Sequence, residues 1–256
     1  MAYGTQTRES AWGGDASSVP VSALSAETRA EFIKKTYAHL AMAIAALVGL
    51  ELLAFGLMPE PAVNRVVEIM MGGRFNWLIV LGAFMAASYV AHKWAANGAS
   101  VGQQYAGLAL YVVAETIILF PLLAIAGFYA NADLDSTTFG LVGTAALITL
   151  LLTAGITAFV FITGANFSFL GGFLSMAAIA AFGLIVASAI FGFSLGLVFI
   201  VAMIVLMCGF ILYETSNVLH TYPVGFHVAA ALALFASIAT LFWYVLQLLM
   251  SLQSDD

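Results

Sequence analysis

Residues 194–220 read SLGLVFIVAMIVLMCGFILYETSNVLH, an apolar run with a single carboxylate, Glu214, close to its end. A helix needs about 20 mostly apolar residues to cross the hydrocarbon core of a bilayer, and this run is long enough. A soluble helix of that length would carry a polar face opposite its apolar stripe, and none is present. The pattern recurs: long apolar segments fall at roughly 37–58, 76–94, 105–129, 138–163, 168–191 and 226–251. Lys93 is the last Lys or Arg of the chain, so the later segments have no basic residue with which to build a solvated surface. The expected fold class is an all-α integral membrane protein, a seven-transmembrane helical bundle.

Composition agrees. Hydrophobic residues make up 63% of the 256 and charged residues 8%, against about 25% charged in a typical soluble domain. The seven basic residues form no patch, which argues against nucleic acid as a partner. Cys208 is the only cysteine; it cannot form an intrachain disulfide or a thiolate metal site and reads as a small core residue. Residues 1–30 are polar and rich in Ser, Gly and Ala, a flexible tail ahead of a membrane domain over 31–256. The first apolar run starts too late and runs too long to be a cleaved signal. Pro121 removes a backbone donor inside the third span and should kink it.

Basic residues near span ends set orientation. Arg8, Arg29, Lys34 and Lys35 precede the first span and Lys93 ends the second, while Arg65 and Arg74 lie in the loop between them. That balance puts the N-terminus in the cytoplasm and, after seven spans, the C-terminus outside. His39, His92, His220 and His227 then share the inner face with Lys93 and Glu214.

Ionisable groups inside spans are costly and mark function. Glu214 must be protonated, paired, or open to a water-filled cavity; the bland alternative is a helix-end residue reaching interfacial water. Glu115 lies near mid-membrane in the third span, and Gln104, Tyr111 and Glu115 share one helical face. It is either a hydrogen-bonded tie between helices or part of an ion or proton path, and Glu51 in the first span has the same ambiguity. The seventh span carries a polar stripe, Ser237, Thr240, Tyr244, Gln247 and Ser251, spaced three and four apart, with His227 at its start. Such a face cannot point into lipid, so the last helix is expected inside the bundle. Thr149, Thr153 and Thr157 make a similar row on the fourth span, and both rows also fit plain interhelical hydrogen bonding. Gly192-Phe193-Ser194-Leu195-Gly196 has the spacing of a hydrolase nucleophile elbow. That elbow needs a strand-to-helix turn, here it joins two membrane helices, and the histidines lie at the other face. No histidine pair has metal-ligand spacing within a span.

Gly209 to Asn217 followed by Val218-Leu219-His220 resembles the signature of the Bax inhibitor-1 (TMBIM) family. Asn166-Phe167-Ser168-Phe169-Leu170-Gly171-Gly172-Phe173 and Phe32-Ile33-Lys34-Lys35-Thr36-Tyr37-Ala38-His39-Leu40 are similar to two further stretches of that family. The resemblance covers about residues 30–252 and implies a seven-helix bundle with a central last helix. It also implies a pair of acidic residues latched by a basic residue at the inner end of the second span. Glu214 matches the first acid; the second falls on Ser237, and Lys93 or His92 is nearest to the latch. The Glu-then-Ser version is similar to the bacterial YccA-like branch, whose members associate with and restrain the membrane protease FtsH.

Two functions follow as expectations. The first is a non-enzymatic modulator of an FtsH-type protease complex with stomatin-like partners in a bacterial inner membrane. The alternative is a pH-sensitive cation leak for Ca²⁺ or H⁺, gated by Glu214 against Lys93. No cofactor is expected, and a lone Glu214 would hold Ca²⁺ weakly because that ion takes six to eight oxygens. Asn217, beside Glu214, and Thr240 and Tyr244 in the stripe complete the candidate polar residues.

Overall fold

The computed structural model describes residues 19–96, 100–130 and 140–254. Within them the chain forms eight α-helices: α1 (Ala26–Leu57), α2 (Glu60–Met71), α3 (Arg74–Ala95), α4 (Val101–Ala130), α5 (Leu141–Thr163), α6 (Gly171–Phe191), α7 (Gly196–His220) and α8 (His227–Ser254). All but α2 are long and apolar enough to cross a membrane. The chain is an all-α integral membrane bundle, as its apolar runs require.

Local chemistry sets the helix ends. Ser25 caps α1, its side chain accepting from Thr28 N at 3.3 Å, and Glu27 adds a favourable charge in the first turn. The helix therefore begins well before its apolar run, and the boundary expected at residue 30 falls inside it. Residues 1–18 of the expected tail lie outside the described residues. Gly164 and Gly192 end α5 and α6 in the left-handed conformation that glycine adopts at no steric cost. Pro121 does not end α4, which runs through it.

The loop expected between the first two spans holds α2. At 12 residues it is too short to span. Val63, Val66, Val67 and Met70 follow the i, i+3, i+4, i+7 spacing of an apolar stripe, while Arg65 and Glu68 pair at 2.8 Å on the exposed side.

α8 occupies the centre. Two-thirds of its apolar window (67%) is buried, against 6% for α3 and for α6. It packs on α7, α1, α5, α4 and α3, and Leu232, Leu234, Phe235, Leu241 and Leu246 are almost completely enclosed. Small residues set the distances between helices. A Cβ on Gly107 would come 2.5 Å from Ala91 O and 2.7 Å from Ala95 N, so α4 rides directly on the backbone of α3. One end of the bundle carries His39, His92, His220 and His227, and is called the histidine end; α2 and the α6–α7 turn lie at the far end.

Candidate functional site: carboxyls in the two halves of the bundle

At the histidine end two of the quoted sequence stretches fold onto each other. Phe167 N donates to Ser216 Oγ at 2.8 Å. Gly171 sits where a Cβ would lie 2.8 Å from the Tyr213 hydroxyl, and Gly209 where one would lie 2.8 Å from Leu174 Cδ2. The glycines of one stretch thus receive side chains of the other, and α7 is pinned beside α6 just where Glu214 emerges. The Tyr222 hydroxyl donates to Glu214 Oε2 at 3.1 Å, and Asn217 adds a side-chain hydrogen bond.

Tyr222 is itself fixed. It lies in the turn between α7 and α8, where its N–H donates to Asn217 O at 3.0 Å and its carbonyl accepts from Val21 N at 3.0 Å. Val21 is wholly buried, and Ser22 Oγ donates to His220 O at 2.8 Å. The segment before α1 therefore straps down the turn that holds Glu214. Burial, with the Glu214 carboxyl beside it, pushes the Tyr222 hydroxyl well above its ordinary pKa, so it remains a donor.

The latch expected between Glu214 and Lys93 is not formed. Among the described residues the ion pairs are Lys35–Glu31 at 2.7 Å and Arg65–Glu68 at 2.8 Å, exposed pairs along single helices that add little. Lys93 is exposed near the end of α3, which packs chiefly on α4, whereas α7 packs on α8, α5 and α6. His92 turns back on its own helix, Nδ1 lying 2.9 Å from Ser88 O, and meets the ring of Tyr111 edge-on at 5.4 Å. His39 lies 4.9 Å from His227 between ring centres and 2.7 Å from the Tyr105 hydroxyl. No group of three His, Cys, Asp or Glu side chains able to hold a metal occurs among the described residues.

Two further carboxyls lie deeper. Glu115 on α4 is 3% exposed; the Tyr111 hydroxyl hydrogen-bonds it, and its Oε2 has no partner among the described residues. Glu51 on α1 is 7% exposed, and neither of its carboxyl oxygens has one among the described residues. The two stand within electrostatic range of each other. An unmade hydrogen bond of this kind costs free energy wherever water is excluded.

Each of the two carboxyls lines a different cavity. One, of about 850 Å³, lies between α3, α4, the α6–α7 turn and α8, and is lined by Glu115, Trp77, Ser194, Thr240, Tyr244 and Gln247. The middle of the α8 stripe thus lines the same cavity as Glu115. Ser237 does not join it; its hydroxyl donates to Ala233 O on its own helix at 3.1 Å. The second cavity, of about 1200 Å³, lies between α1, α2, α4, α5 and α8 and is lined by Glu51. Ser194 sits in a turn between two helices with no strand beneath it, and the histidines lie at the opposite end. The elbow spacing is therefore without its required setting. Tyr222 is the functional candidate that sequence reasoning missed, for it lies past the end of α7, where helical spacing says nothing.

The sequence matches the family described as Inhibitor of apoptosis-promoting Bax1 over residues 29–254. It is 32% identical over 145 residues to a protein of Schizosaccharomyces pombe named Bax inhibitor 1; the match covers 55% of this chain and 53% of that protein. The chain thus spans about half the length of the curated relative it matches. No solved structure matches it.

Proposed function

Since the chain belongs to the Bax inhibitor-1 family, we propose that it is a cation leak, held closed at the histidine end by the grip of Tyr222 on Glu214. The observation that carries this reading is the cavity at the far end. Thr240, Tyr244 and Gln247 give it a polar wall, and Glu115 lies at mid-bundle along it. Water admitted along that wall would bring a cation or proton halfway through the bundle to a carboxyl with a free oxygen. Between there and Glu214, by their positions along α8 and α7, stand Phe235 and Ile211, both nearly fully enclosed, which suits a path closed at rest. A proton or a monovalent ion fits the isolated carboxyls better than Ca²⁺, which takes six to eight oxygens.

Orientation belongs to the same reading. Lys34, Lys35 and Lys93 at the histidine end outweigh Arg65 and Arg74 at the far end, which supports a cytoplasmic N-terminus. The C-terminus would then be periplasmic in the inner membrane of a bacterium. Cation flux into proteoliposomes, measured at two pH values, tests the path. Glu115→Gln should cut it several-fold and Tyr222→Phe should raise it; equal flux from all three proteins would end the proposal.

A second reading, modulation of an FtsH-type protease complex with stomatin-like partners, draws support from the Glu214 and Ser237 combination and from α6. The outward face of that helix, Phe173, Met176, Ile179 and Leu184, has no partner among the described residues. Purification from native membranes in mild detergent tests it, and recovery of the chain without any protease subunit would count against it.

A further inference from the structure

The larger cavity, bounded by α1, α2, α4, α5 and α8, takes no part in the path just proposed. Its walls are almost entirely apolar, and the polar side chains among its described lining residues are Glu51, Thr149, Glu60 and Asn64. Both charged residues in that set are acidic. Glu51 is more than nine-tenths buried, and both of its oxygens lack a partner among the described residues. It lies about 9 Å of helix before the end of α1 at Leu57, too deep to reach the surface along its own helix.

The volume, about 1200 Å³, exceeds the usual range of small-molecule sites, so space is not limiting and chemistry decides the occupant. A hydrocarbon chain would fill the space and leave both Glu51 oxygens unsatisfied, at the cost of a buried, unpaired polar group. Any anionic amphiphile would meet Glu51 and Glu60. A zwitterionic lipid would bring its phosphate along with its ammonium. A calcium ion would need six to eight oxygens, which this polar set cannot supply, and its water shell would lie against apolar walls. An organic cation with an apolar body satisfies every part: its N–H groups donate to Glu51, its body covers the walls, and Phe55, Phe235 and Phe242 put aromatic residues in the lining.

We propose that this cavity binds a lipophilic amine, its ammonium group paired with Glu51 and its apolar body lodged between α1, α4, α5 and α8. The pairing is a charge-assisted hydrogen bond to a carboxyl that is 7% exposed, and such bonds are about twice as strong as neutral ones. Glu60 and Asn64 on α2 stand in the lining nearer the far end and favour entry of a cation without having to touch it.

Three probes with one apolar body test the proposal: adamantylamine, adamantanol and adamantanecarboxylate. Each is titrated against the full chain in nanodiscs of neutral phosphatidylcholine, with the unfolding midpoint and equilibrium dialysis as readouts. The amine should bind saturably and raise the midpoint, the alcohol should bind roughly tenfold or more weakly, and the carboxylate should not bind. Glu51→Gln should bring the amine down to the level of the alcohol, while Glu60→Gln should leave most of the preference intact. Equal binding of amine and alcohol by the wild type would mean an apolar occupant only and would overturn the proposal. So would a Glu51→Gln protein that keeps the preference. Should Gln at 51 fail to fold, Glu51→Asp withdraws the carboxylate by one methylene and must weaken the amine without weakening the alcohol. Flux through the Glu115 cavity is a separate measurement, so either idea can fail alone.

Discussion

Glu214 and Glu51 are both carboxyls inside one helical bundle, yet their surroundings differ in kind. Around Glu214 the chain has assembled donors: the Tyr222 hydroxyl at 3.1 Å, the Asn217 side chain, and a strap at Val21 and Ser22 that keeps the turn in place. Around Glu51 there is apolar wall, and neither oxygen has a partner among the described residues. Intramolecular hydrogen bonds add only about 1 kcal/mol each, but a buried group stripped of its partner costs about 1–3 kcal/mol. Glu214 is therefore built into the fold, whereas Glu51 is tolerated by it.

Reversible unfolding of the full chain in mixed micelles can break that contrast. The largest effect is expected for Glu214→Leu, a loss of about 3 kcal/mol, because Tyr222 and Asn217 both lose their acceptor. A loss below about 0.5 kcal/mol would show that the cluster contributes nothing to the fold. Gly107→Ala comes next and calibrates pure packing. Its Cβ would press on Ala91 O and Ala95 N, and overpacking of this sort costs about 1–3 kcal/mol; an unchanged midpoint would mean that α3 and α4 separate freely.

Tyr222→Phe keeps the ring and removes the donor, so about 1–2 kcal/mol should go. Combined with Glu214→Leu it should add almost nothing further, because one bond cannot be lost twice; full additivity would deny that the two residues meet. Glu51→Leu has the smallest expected effect and the opposite sign, a gain of up to about 1 kcal/mol in the absence of ligand, since an unpaired polar group gives way to one that suits the walls. Destabilisation there would reveal a hydrogen-bond partner for Glu51 and erase the contrast.

The spans were legible in the sequence because lipid permits only self-satisfied helices, so length and apolarity suffice. The central place of α8 was legible too, since the row of Thr240, Tyr244 and Gln247 cannot face lipid. What escaped was contact between segments. α2 carried a readable stripe, Val63 to Met70, but at 12 residues it fell below the length that identifies a span. Lys93 is the last cation of the chain, and pairing it with Glu214 assumed that opposite charges find each other. Packing decides neighbours first, and it set α3 on α4. Tyr222 reaches Glu214 by folding back across a turn, where neither the 3.6-residue period nor charge gives a clue.

The central position of α8 also has a consequence in time. Of the eight described helices it leaves the ribosome after the other seven, yet α1, α4, α5 and α7 all pack on it. Until His227–Ser254 arrives, Leu232, Leu234 and Phe235 are missing from the middle, and the earlier spans can only wait side by side in the membrane. Assembly of this bundle is thus set by its final step, and a chain stalled before His227 should stay open to added protease where the finished one is closed.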